Sequence, residues 1–439
     1  MLIRFKVGNY LSFKDTEEFS MISGETRNHP DHLMDLDRVK LLKLSAIYGA
    51  NASGKSNFVK AIAESRDMIT KGRSLRSNRC YRLDSQFKDE PSYFEYEFEY
   101  DGKFYSYGFE YGSSKQRVES EWLYEFPQGA DVKVIFQRTG EKITHAFEGN
   151  DKARMDIYAE DMQRSQNKLF LFVMRDKIRK TDVGLQVFSS VFMWFEFNLV
   201  IYGSNSAFYT VNAISEPKLT VDVIEKLSTF GTGITGIIYE RLETDKDVFP
   251  NEVISIIKEG LVTIKHESSI KDPCIDMRHG SEIYRMSLSN EDELHIEKAF
   301  FKHGVVNFNS EEESFGSKKI YELLKTTLSE DEERTFIMDE LDIGLHPHLS
   351  RKFVETFVGM NKGCNSQLVF TTHETYLMDF DLLRRDEVWF VDKDDSGQTS
   401  LFSLEDFNER GDRKIEKAYL EGRYGGIPVF SELIRECDQ

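Results

Sequence analysis

The sequence has 439 residues and is 40% hydrophobic, which is enough to bury the core of one large domain or two to three ordinary ones. A formal net charge of −19 argues against a generally basic nucleic-acid binder, although it does not exclude a local basic groove. There is no run of about 18 apolar residues, so no membrane-spanning helix is predicted, and four widely spaced cysteines favour a reducing cytoplasm.

The N-terminal residues alternate in the manner of strands. Leu2–Val7 and Phe13–Ile22 predict two strands that are joined by a turn. The polar segment after them contains His29 and His32. Two histidines this close could bind a metal, but no cysteine or further ligand lies nearby in the sequence, and we predict a solvated loop instead.

Residues 49–56, GANASGKS, fit the phosphate-binding pattern G-x-x-x-x-G-K-[ST]. The apolar residues 44–48 predict a buried strand before this loop, and the residues after it predict an amphipathic helix. Glycines let the backbone N–H groups point at phosphate oxygens, and the helix N-terminus adds partial positive charge. Lys55 would reach the β- and γ-phosphates and the Ser56 hydroxyl would bind Mg²⁺. The predicted nucleotide-binding residues of this loop are Gly49, Asn51, Ala52, Ser53, Gly54, Lys55, Ser56 and Asn57.

The next part of the chain is predicted to be a β region followed by helices. A dense basic run at 71–79 is typical of a solvated loop. Phe94–Tyr100 alternates aromatic and acidic residues and is followed by Asp101-Gly102, which predicts a β-hairpin. We assign the many Phe and Tyr residues to core and sheet packing rather than to base stacking. Residues 148–285 show more helical periodicity and predict an inserted, mainly helical lobe.

Two later strands end in polar residues. Residues 335–338 are an apolar strand that is followed by Asp339 and Glu340, the natural complement of a phosphate-binding loop. Asp339 would hold Mg²⁺ together with Ser56, and Glu340 would polarise the attacking water. The strand 367–372 ends at His373, whose imidazole could hydrogen-bond the γ-phosphate, a structural histidine being the alternative.

These motifs, in this order, resemble an ABC-type ATPase head. Residues 9–14, 49–56 and 340–347 are similar to the RecF-like and overcoming-lysogenisation-defect-like ATPases, and the nearest likeness is to the stand-alone ATPases of abortive-infection and anti-phage systems. The resemblance covers roughly 1–130 and 286–439. It implies an α/β fold: a P-loop ABC-type ATPase head with an antiparallel β subdomain and an inserted mainly helical lobe. The predicted domains are 1–147, 148–285 and 286–439.

The resemblance also implies a mechanism. Two heads would associate head to tail, with each ATP between the P-loop of one chain and the degenerate signature motif, residues 313–319, of the other. Ser314 and Gly316 would then contact the γ-phosphate at the start of a helix from Ser317, and we predict all three as nucleotide-binding. Phe315 stands where transporter-type signatures carry a Gly pair, so the detailed contacts stay open. Gln86 is a candidate Q-loop residue, and a surface glutamine is an equal alternative.

We therefore predict an ATP hydrolase with ATP and Mg²⁺ as cofactors and Glu340, Lys55 and His373 as catalytic residues. It would form a homodimer or higher homo-oligomer through its heads and control a separate effector protein, a nuclease being one candidate, in anti-phage defence. The acidic run 392–395 is predicted as a hairpin turn and not as a nuclease site. The alternatives are a RecF-like DNA-maintenance ATPase that binds DNA directly, which the net charge does not support, and a nucleotide-gated scaffold with little turnover.

Overall fold

A computed structural model of the chain describes residues 1–162, 165–179, 181–203, 217–242, 248–267, 272–328, 333–407 and 415–425. The contacts divide the chain into two units. Unit 1 consists of Met1–Gly203, Glu333–Leu341 and Asn365–Gln439, and unit 2 consists of Ser204–Glu332 and Asp342–Cys364.

The strands and helices follow one another along the chain in a mixed α/β pattern. The strands are β1 (Leu2–Gly8), β2 (Glu17–Ser20), β3 (Leu33–Asp35), β4 (Lys40–Leu42), β5 (Leu44–Tyr48), β6 (Ser92–Tyr100), β7 (Lys103–Gly112), β8 (Arg117–Glu125), β9 (Lys133–Thr139), β10 (Lys142–His145), β11 (Leu199–Tyr202), β12 (Gly236–Arg241), β13 (Cys274–His279), β14 (Glu282–Leu288), β15 (Leu294–His303), β16 (Val306–Asn309), β17 (Thr335–Met338), β18 (Gln367–Thr371), β19 (Val388–Lys393) and β20 (Thr399–Ser403). The helices are α1 (Lys55–Lys71), α2 (Gly149–Met162), α3 (Phe170–Met174), α4 (Gln186–Met193), α5 (Pro217–Ser228), α6 (Asn251–Glu267), α7 (Phe315–Thr327), α8 (Pro347–Met360) and α9 (Ile415–Leu420).

Unit 1 contains an antiparallel sheet with the strand order β10-β9-β8-β7-β6-β1-β2. The predicted hairpin is confirmed as the pair β6 and β7. Asp101 and Gly102 form its turn with φ angles of 53° and 72°. Two successive positive φ angles match the type I′ turn that an Asp-Gly pair favours between twisted strands.

The second large sheet of unit 1 is mostly parallel and carries the strand order β11-β17-β18-β5-β19-β20. Every residue of β5, β17 and β18 is buried, which explains why their sequences, apart from Gln367, are continuously apolar or small and do not alternate. Only β20 runs antiparallel, as the partner of β19. The carboxyl ends of β5, β17 and β18 meet at one edge of the sheet, so the residues that follow these strands come close together.

Aromatic side chains form much of the core of unit 1. Phe58 of α1 lies edge-on to Phe5 of β1, with ring centroids 5.8 Å apart. Phe19 of β2 contacts Trp389 of β19 at 5.1 Å, so the two large sheets share one core. The inward-facing aromatic residues Phe94, Tyr96 and Phe98 of β6 are fully buried. Their burial confirms that these aromatics serve packing.

Unit 2 contains the antiparallel sheet β12-β15-β14-β13, with β16 paired to β15. The helices α5, α6, α7 and α8 belong to the same unit. Met286 of β14 and Ile296 of β15 are buried in a small hydrophobic core with Leu261 of α6. The side chains of Ile320, Leu323 and Leu324 along α7 are also completely buried.

The two units divide the chain at points that differ from the predicted boundaries at 147 and 285. Residues 148–203 belong to unit 1, because β11 pairs in parallel with β17 and completes the central sheet. The segment 217–288 contains α5 and α6 but also three strands, so its described residues are mixed rather than mainly helical. Because the preceding residues show helical periodicity, the short apolar strand Leu199–Tyr202 was not predicted. Among the described residues, no helix is both long enough and apolar enough to span a bilayer.

Candidate nucleotide-binding site

The phosphate-binding loop connects β5 to α1 as the sequence predicts. Gly49 lies so close to neighbouring backbone that a Cβ there would come within 2.4 Å of the Val391 carbonyl oxygen. Gly54 precedes the first turn of α1 with a φ of 126°, a conformation that only glycine adopts readily. Ala52 also has a positive φ, 65°, and lies with Asn51 at the exposed tip of the loop. The loop thus forms the concave backbone that binds anions.

The loop is held by Thr399, which belongs to a chain of polar side chains with Ser12 and Asn57. Thr399 Oγ1, on β20, lies 2.8 Å from the carbonyl oxygen of Ser53 and 2.7 Å from Ser12 Oγ. The predicted site residue Asn57 donates its side-chain N–H to Ser12 Oγ at 2.7 Å. Asn57 therefore ties α1 to the β1–β2 connection in this structure, and its role toward a nucleotide stays a prediction.

Lys55 is the first residue of α1, and its side chain is 5% exposed. Its Nζ donates to the carbonyl oxygens of Gly49 at 2.6 Å and of Ala50 at 3.0 Å. The same ammonium lies 3.4 Å from Nδ1 of His373, which follows β18. The P-loop cation and the predicted γ-phosphate sensor are therefore neighbours, as the sequence order suggested.

The predicted Mg²⁺ ligands also lie together. Ser56 Oγ donates to Asp339 Oδ1 at 3.3 Å. Asp339 is 4% exposed, and its backbone N–H bonds the carbonyl oxygen of Tyr202 at 2.8 Å. Because Tyr202 ends β11, the supposedly inserted segment supports the strand end that carries this carboxylate.

Glu340 follows Asp339 in a strained backbone conformation. Its φ is 52°, in the left-handed region that a residue with a long side chain seldom adopts. Its backbone N–H donates to the hydroxyl of Thr371 at 2.7 Å, and the same hydroxyl donates to Asp339 Oδ1 at 2.8 Å. Such strain is found mostly at functional sites, where the surroundings impose a conformation on a reacting group.

The residues around the loop fit a bound nucleotide and cation. Ser53 Oγ is buried and makes no hydrogen bond to the residues that the structure describes, so a polar ligand is its natural partner. Ser56 and Asp339 supply a hydroxyl and a carboxylate oxygen, which are the hard donors that Mg²⁺ prefers. The α1 N-terminus and Lys55 supply positive charge where phosphate would lie.

The signature segment lies in unit 2, and its own geometry is well defined. Ser314 is the N-cap of α7: its Oγ accepts from Ser317 N–H at 3.0 Å and bonds Ser317 Oγ at 2.8 Å. Phe315 is 52% exposed. A Cβ at Gly344 would come within 2.1 Å of the Phe315 ring, so this ring fits only against glycine. The role of Ser314, Gly316 and Ser317 toward a nucleotide remains a prediction.

Two positions that contact the candidate site were not identified from the sequence. Thr371 contacts both acidic residues, and Thr399 contacts the P-loop. Thr371 is the last residue of β18 and Thr399 is the first residue of β20. Both strand ends lie at the sheet edge that carries the P-loop, and this position was the available signal. The Q-loop candidate Gln86 lies exposed in a short 3-10 turn, which favours the surface interpretation.

The basic run and the acidic run have local roles. Lys71 and Arg73 both pair with Asp67 at 2.6 and 2.7 Å, and Arg79 pairs with Glu64. These pairings neutralise much of the positive charge that a DNA contact would require. The acidic residues 392–395 lie where β19 turns into β20, which confirms the predicted hairpin.

Comparison with models of protein families matches residues 44–153 and 264–379, together just over half of the chain, to the family described as "AAA domain, putative AbiEii toxin, Type IV TA system". The chain belongs to this AAA-domain family. Its matched residues include the P-loop, the signature segment, Asp339, Glu340 and His373. Membership in the AAA-domain family confirms the prediction that the chain is a P-loop ATPase of ABC type in the RecF-like group. The α/β architecture with an antiparallel sheet confirms the predicted fold class.

Solved structures similar to the chain include heads of SMC proteins. The "SMC head domain from Thermotoga maritima" is 14% identical with a TM-score of 0.40, over 92% of this chain and 98% of that one. The "SmcHead bound to the C-winged helix domain of ScpA" is 14% identical with a TM-score of 0.47, over 92% and 98%. An Smc head domain with an extended coiled coil, bound to the C-terminal domain of ScpA derived from Pyrococcus furiosus, is 11% identical with a TM-score of 0.40, over 96% and 99%. No curated protein sequence matches the chain significantly.

Proposed function

We propose that the chain binds ATP with Mg²⁺, hydrolyses it between paired heads, and through this cycle controls a separate effector in anti-phage defence. One observation carries the proposal. Lys55, Ser56, Asp339, Glu340 and His373 come from three separate parts of the chain, and they meet at the carboxyl edge of the parallel sheet. This edge is where ligands of open α/β sheets bind.

Each residue at this edge has a chemical task in the proposed reaction. Ser56 and Asp339 would hold Mg²⁺, which supplies neutralising charge for the phosphates. Lys55 exchanges its hydrogen bonds to the Gly49 and Ala50 carbonyls for bonds to the phosphate oxygens of ATP, since an ammonium binds charged oxygens more strongly than neutral ones. The P-loop N–H groups hold the same phosphates in place.

Glu340 is the proposed general base. Its backbone is held at the strand end by the bond from its N–H to Thr371. A carboxylate in this position accepts a proton from water as the water attacks the γ-phosphate. His373, 3.4 Å from Lys55 Nζ, hydrogen-bonds the γ-phosphate and loses that bond when the phosphate leaves.

The signature segment is proposed to complete the site of a second chain. The N-terminus of α7 carries Ser314, Gly316 and Ser317, and a helix N-terminus attracts phosphate through its orphan N–H groups. The description of the matched family, "AAA domain, putative AbiEii toxin, Type IV TA system", supports the defence role. A nuclease effector is supported only by the resemblance to stand-alone anti-phage ATPases.

ATP hydrolysis by the purified full chain tests the proposal. We expect Mg²⁺-dependent turnover in the wild type, weakened nucleotide binding in Lys55→Ala, and tight binding with little turnover in Glu340→Gln, whose amide keeps the shape of the side chain but cannot act as a base. Wild-type turnover in Glu340→Gln would show that another group is the base. Failure of the wild type to hydrolyse ATP while binding it would favour the nucleotide-gated scaffold.

The effector can be sought by purifying the Glu340→Gln chain from cells that express its native operon. We expect a second protein in stoichiometric amount. Recovery of the chain alone, from cells in which phage resistance depends on the neighbouring gene, would contradict the proposed complex.

A further inference from the structure

A cluster of potential metal ligands lies in the β2–β3 connection, outside the nucleotide site. His29, Asp31 and His32 each offer one ligand atom, and these atoms lie within 4.8 Å of one another. The sequence predicted a solvated loop here. The structure instead buries His32, which is 5% exposed, and stacks its ring on that of His29 with centroids 4.9 Å apart. The solvated-loop prediction is therefore wrong for His32.

One nitrogen of each imidazole makes a hydrogen bond within the protein, and the other nitrogen is the candidate ligand atom. His32 Nδ1 lies 2.9 Å from Glu387 Oε1. His29 Nε2 lies 2.7 Å from the carbonyl oxygen of Phe380. A carbonyl oxygen and an ionised carboxylate can only accept, so with Glu387 ionised the proton of each ring is assigned to these nitrogens. The lone pairs of the neutral rings are then on His32 Nε2 and His29 Nδ1.

A buried carboxylate behind a ligating histidine is the usual support of a metal site. Glu387 is completely buried, and its Oε2 accepts the backbone N–H of Arg384 at 2.7 Å. The carboxylate is thus held by the turn Arg385–Glu387 that leads into β19. A histidine that served only to fill space would not require a buried charge as its partner, because burying a charge costs free energy.

The backbone of the loop is held in place before any ligand arrives. The buried Arg384 donates to the carbonyl oxygens of Asn28 at 2.6 Å and Thr26 at 2.8 Å. His29 has a φ of 45°, a left-handed conformation that costs a non-glycine residue free energy. Such strain recurs at ligand sites, where the surroundings impose the conformation.

The local charge also suits a cation. The buried Arg384 guanidinium bonds Asp386 at 2.7 Å. Glu387 and Asp31 place two further carboxylates near the two imidazoles. A divalent ion would add positive charge beside these carboxylates.

We propose that His29, Asp31 and His32 bind a Zn²⁺-like transition metal ion through two imidazole nitrogens and one carboxylate, with Glu387 holding His32 in the ligating orientation. Imidazole ligands select zinc and its neighbours over magnesium, which prefers oxygen alone. A tetrahedral zinc site places its ligand atoms about 3.4 Å apart, so side chains whose ligand atoms lie up to 4.8 Å apart would close in on the ion. Three protein ligands leave one coordination position for water or another small ligand.

Zinc binding to the purified full chain tests this site independently of ATP hydrolysis. Zn²⁺ is titrated against a coloured chelator in the presence of excess Mg²⁺, which occupies the proposed magnesium site and leaves the histidines to zinc. The variants are Asp31→Asn, a near-isosteric change at an exposed residue, and His29→Asn, since asparagine tolerates a left-handed backbone. Asp37→Asn is the matched control, because Asp37 is exposed in the following β3–β4 turn and also has a positive φ, 55°.

We expect one equivalent of Zn²⁺ on the wild type and on Asp37→Asn, and binding weakened at least about tenfold in Asp31→Asn and His29→Asn. Zinc should also raise the thermal midpoint of the wild type and leave that of the two site variants unchanged, while all four proteins unfold alike without zinc. Equal zinc affinity in the wild type and both site variants would overturn the proposal. So would a wild type that binds no zinc.

Discussion

The hydroxyl of Thr371 donates a hydrogen bond of 2.8 Å to the carboxylate of Asp339. The same oxygen accepts the backbone N–H of Glu340 at 2.7 Å. One side chain therefore orients the proposed magnesium ligand and the proposed general base together. Thr371 is a positioning residue, since it acts on both acidic residues and would not itself touch the reacting phosphate.

Thr371→Val tests this relationship. Valine keeps the shape of threonine but removes both hydrogen bonds, so Asp339 can turn and Glu340 N–H loses its acceptor. We expect about 10- to 100-fold weaker Mg²⁺-dependent hydrolysis, with a higher Mg²⁺ concentration at half-maximal rate, and a loss of stability of about 1–2 kcal/mol. The measurement is the rate of phosphate release as a function of Mg²⁺ concentration.

Thr371→Ser is the matched control, since it keeps the hydroxyl and should retain most activity and the wild-type Mg²⁺ dependence. An unchanged Mg²⁺ dependence in Thr371→Val would show that the hydroxyl has no part in holding Asp339.

The left-handed backbone conformation of Glu340 predicts that a side chain at this position lowers stability, although its carboxylate is needed for activity. At a φ of 52° a Cβ is unfavourable, whereas glycine adopts this conformation readily. We expect Glu340→Gly to be more stable than Glu340→Ala by about 1 kcal/mol, although neither variant hydrolyses ATP. Thermal unfolding of the two variants, side by side with their ATPase rates, measures both effects.

The Gly and Ala variants differ only at the Cβ, so they share the loss of the carboxylate. If Glu340→Ala proved the more stable of the two, the backbone at this position would be relaxed in solution and the strain argument would fail.

In unit 1, the sheet edge that carries the P-loop and Asp339 was predictable because its sequence signals are local. A buried strand, a glycine-bounded loop and a helix follow each other within 44–71, and an apolar run before Asp339 leaves little choice but a buried strand end. The hairpin at Asp101 was equally local, because an Asp-Gly pair between two alternating runs determines its own turn.

Other parts depend on partners that are distant in the sequence. Thr371 gains its role from β17, and His32 is buried because Glu387 lies beside it, 355 residues further along the chain. Leu199–Tyr202 is a four-residue strand whose place is decided only by pairing with β17. Periodicity within one segment carries no information about such partners, which is why the boundary predicted at 148 divides unit 1.

A buried carboxylate in unit 2 links the sheet to the signature helix. Asp276 of β13 accepts from Arg285 Nε at 2.8 Å, from the Tyr239 hydroxyl at 3.2 Å and from the Tyr321 hydroxyl at 3.0 Å. Tyr321 belongs to α7, the helix that Ser314 caps. We expect Asp276→Asn to destabilise unit 2 by about 3–5 kcal/mol, because it leaves Arg285 buried without its counter-charge. Hydrogen exchange of α7 amides measures the loss.

Two variants calibrate this effect. Tyr321→Phe removes the hydroxyl that bonds Asp276 and Tyr239 and should cost about 1–2 kcal/mol. Asp292→Asn breaks a more exposed pair with Lys265 in the same unit and should change stability by less than about 1 kcal/mol. Equal protection of α7 in Asp276→Asn and Asp292→Asn would contradict the proposed link.

The last prediction concerns Ser314, whose hydroxyl already caps α7 in its own chain. Capping and a phosphate contact in the partner's site can be separated, because serine, asparagine and aspartate are about equally good N-caps. Ser314→Asn and Ser314→Asp should both keep the stability of the helix within about 0.5 kcal/mol. Only Ser314→Asp places a negative charge where the partner's γ-phosphate is proposed to lie.

We therefore expect ATP-dependent pairing to weaken at least about tenfold in Ser314→Asp, since like charges in an interface cost several kcal/mol, and to weaken much less in Ser314→Asn. Light scattering with and without ATP measures the pairing, in a Glu340→Gln background that slows hydrolysis and keeps the nucleotide bound. Ser314→Ala adds the converse case, because it loses the cap, at a cost of about 1 kcal/mol, without adding charge. If Ser314→Asp paired as tightly as Ser314→Asn in the presence of ATP, no phosphate would lie at the start of α7, and the signature segment would act only within its own chain.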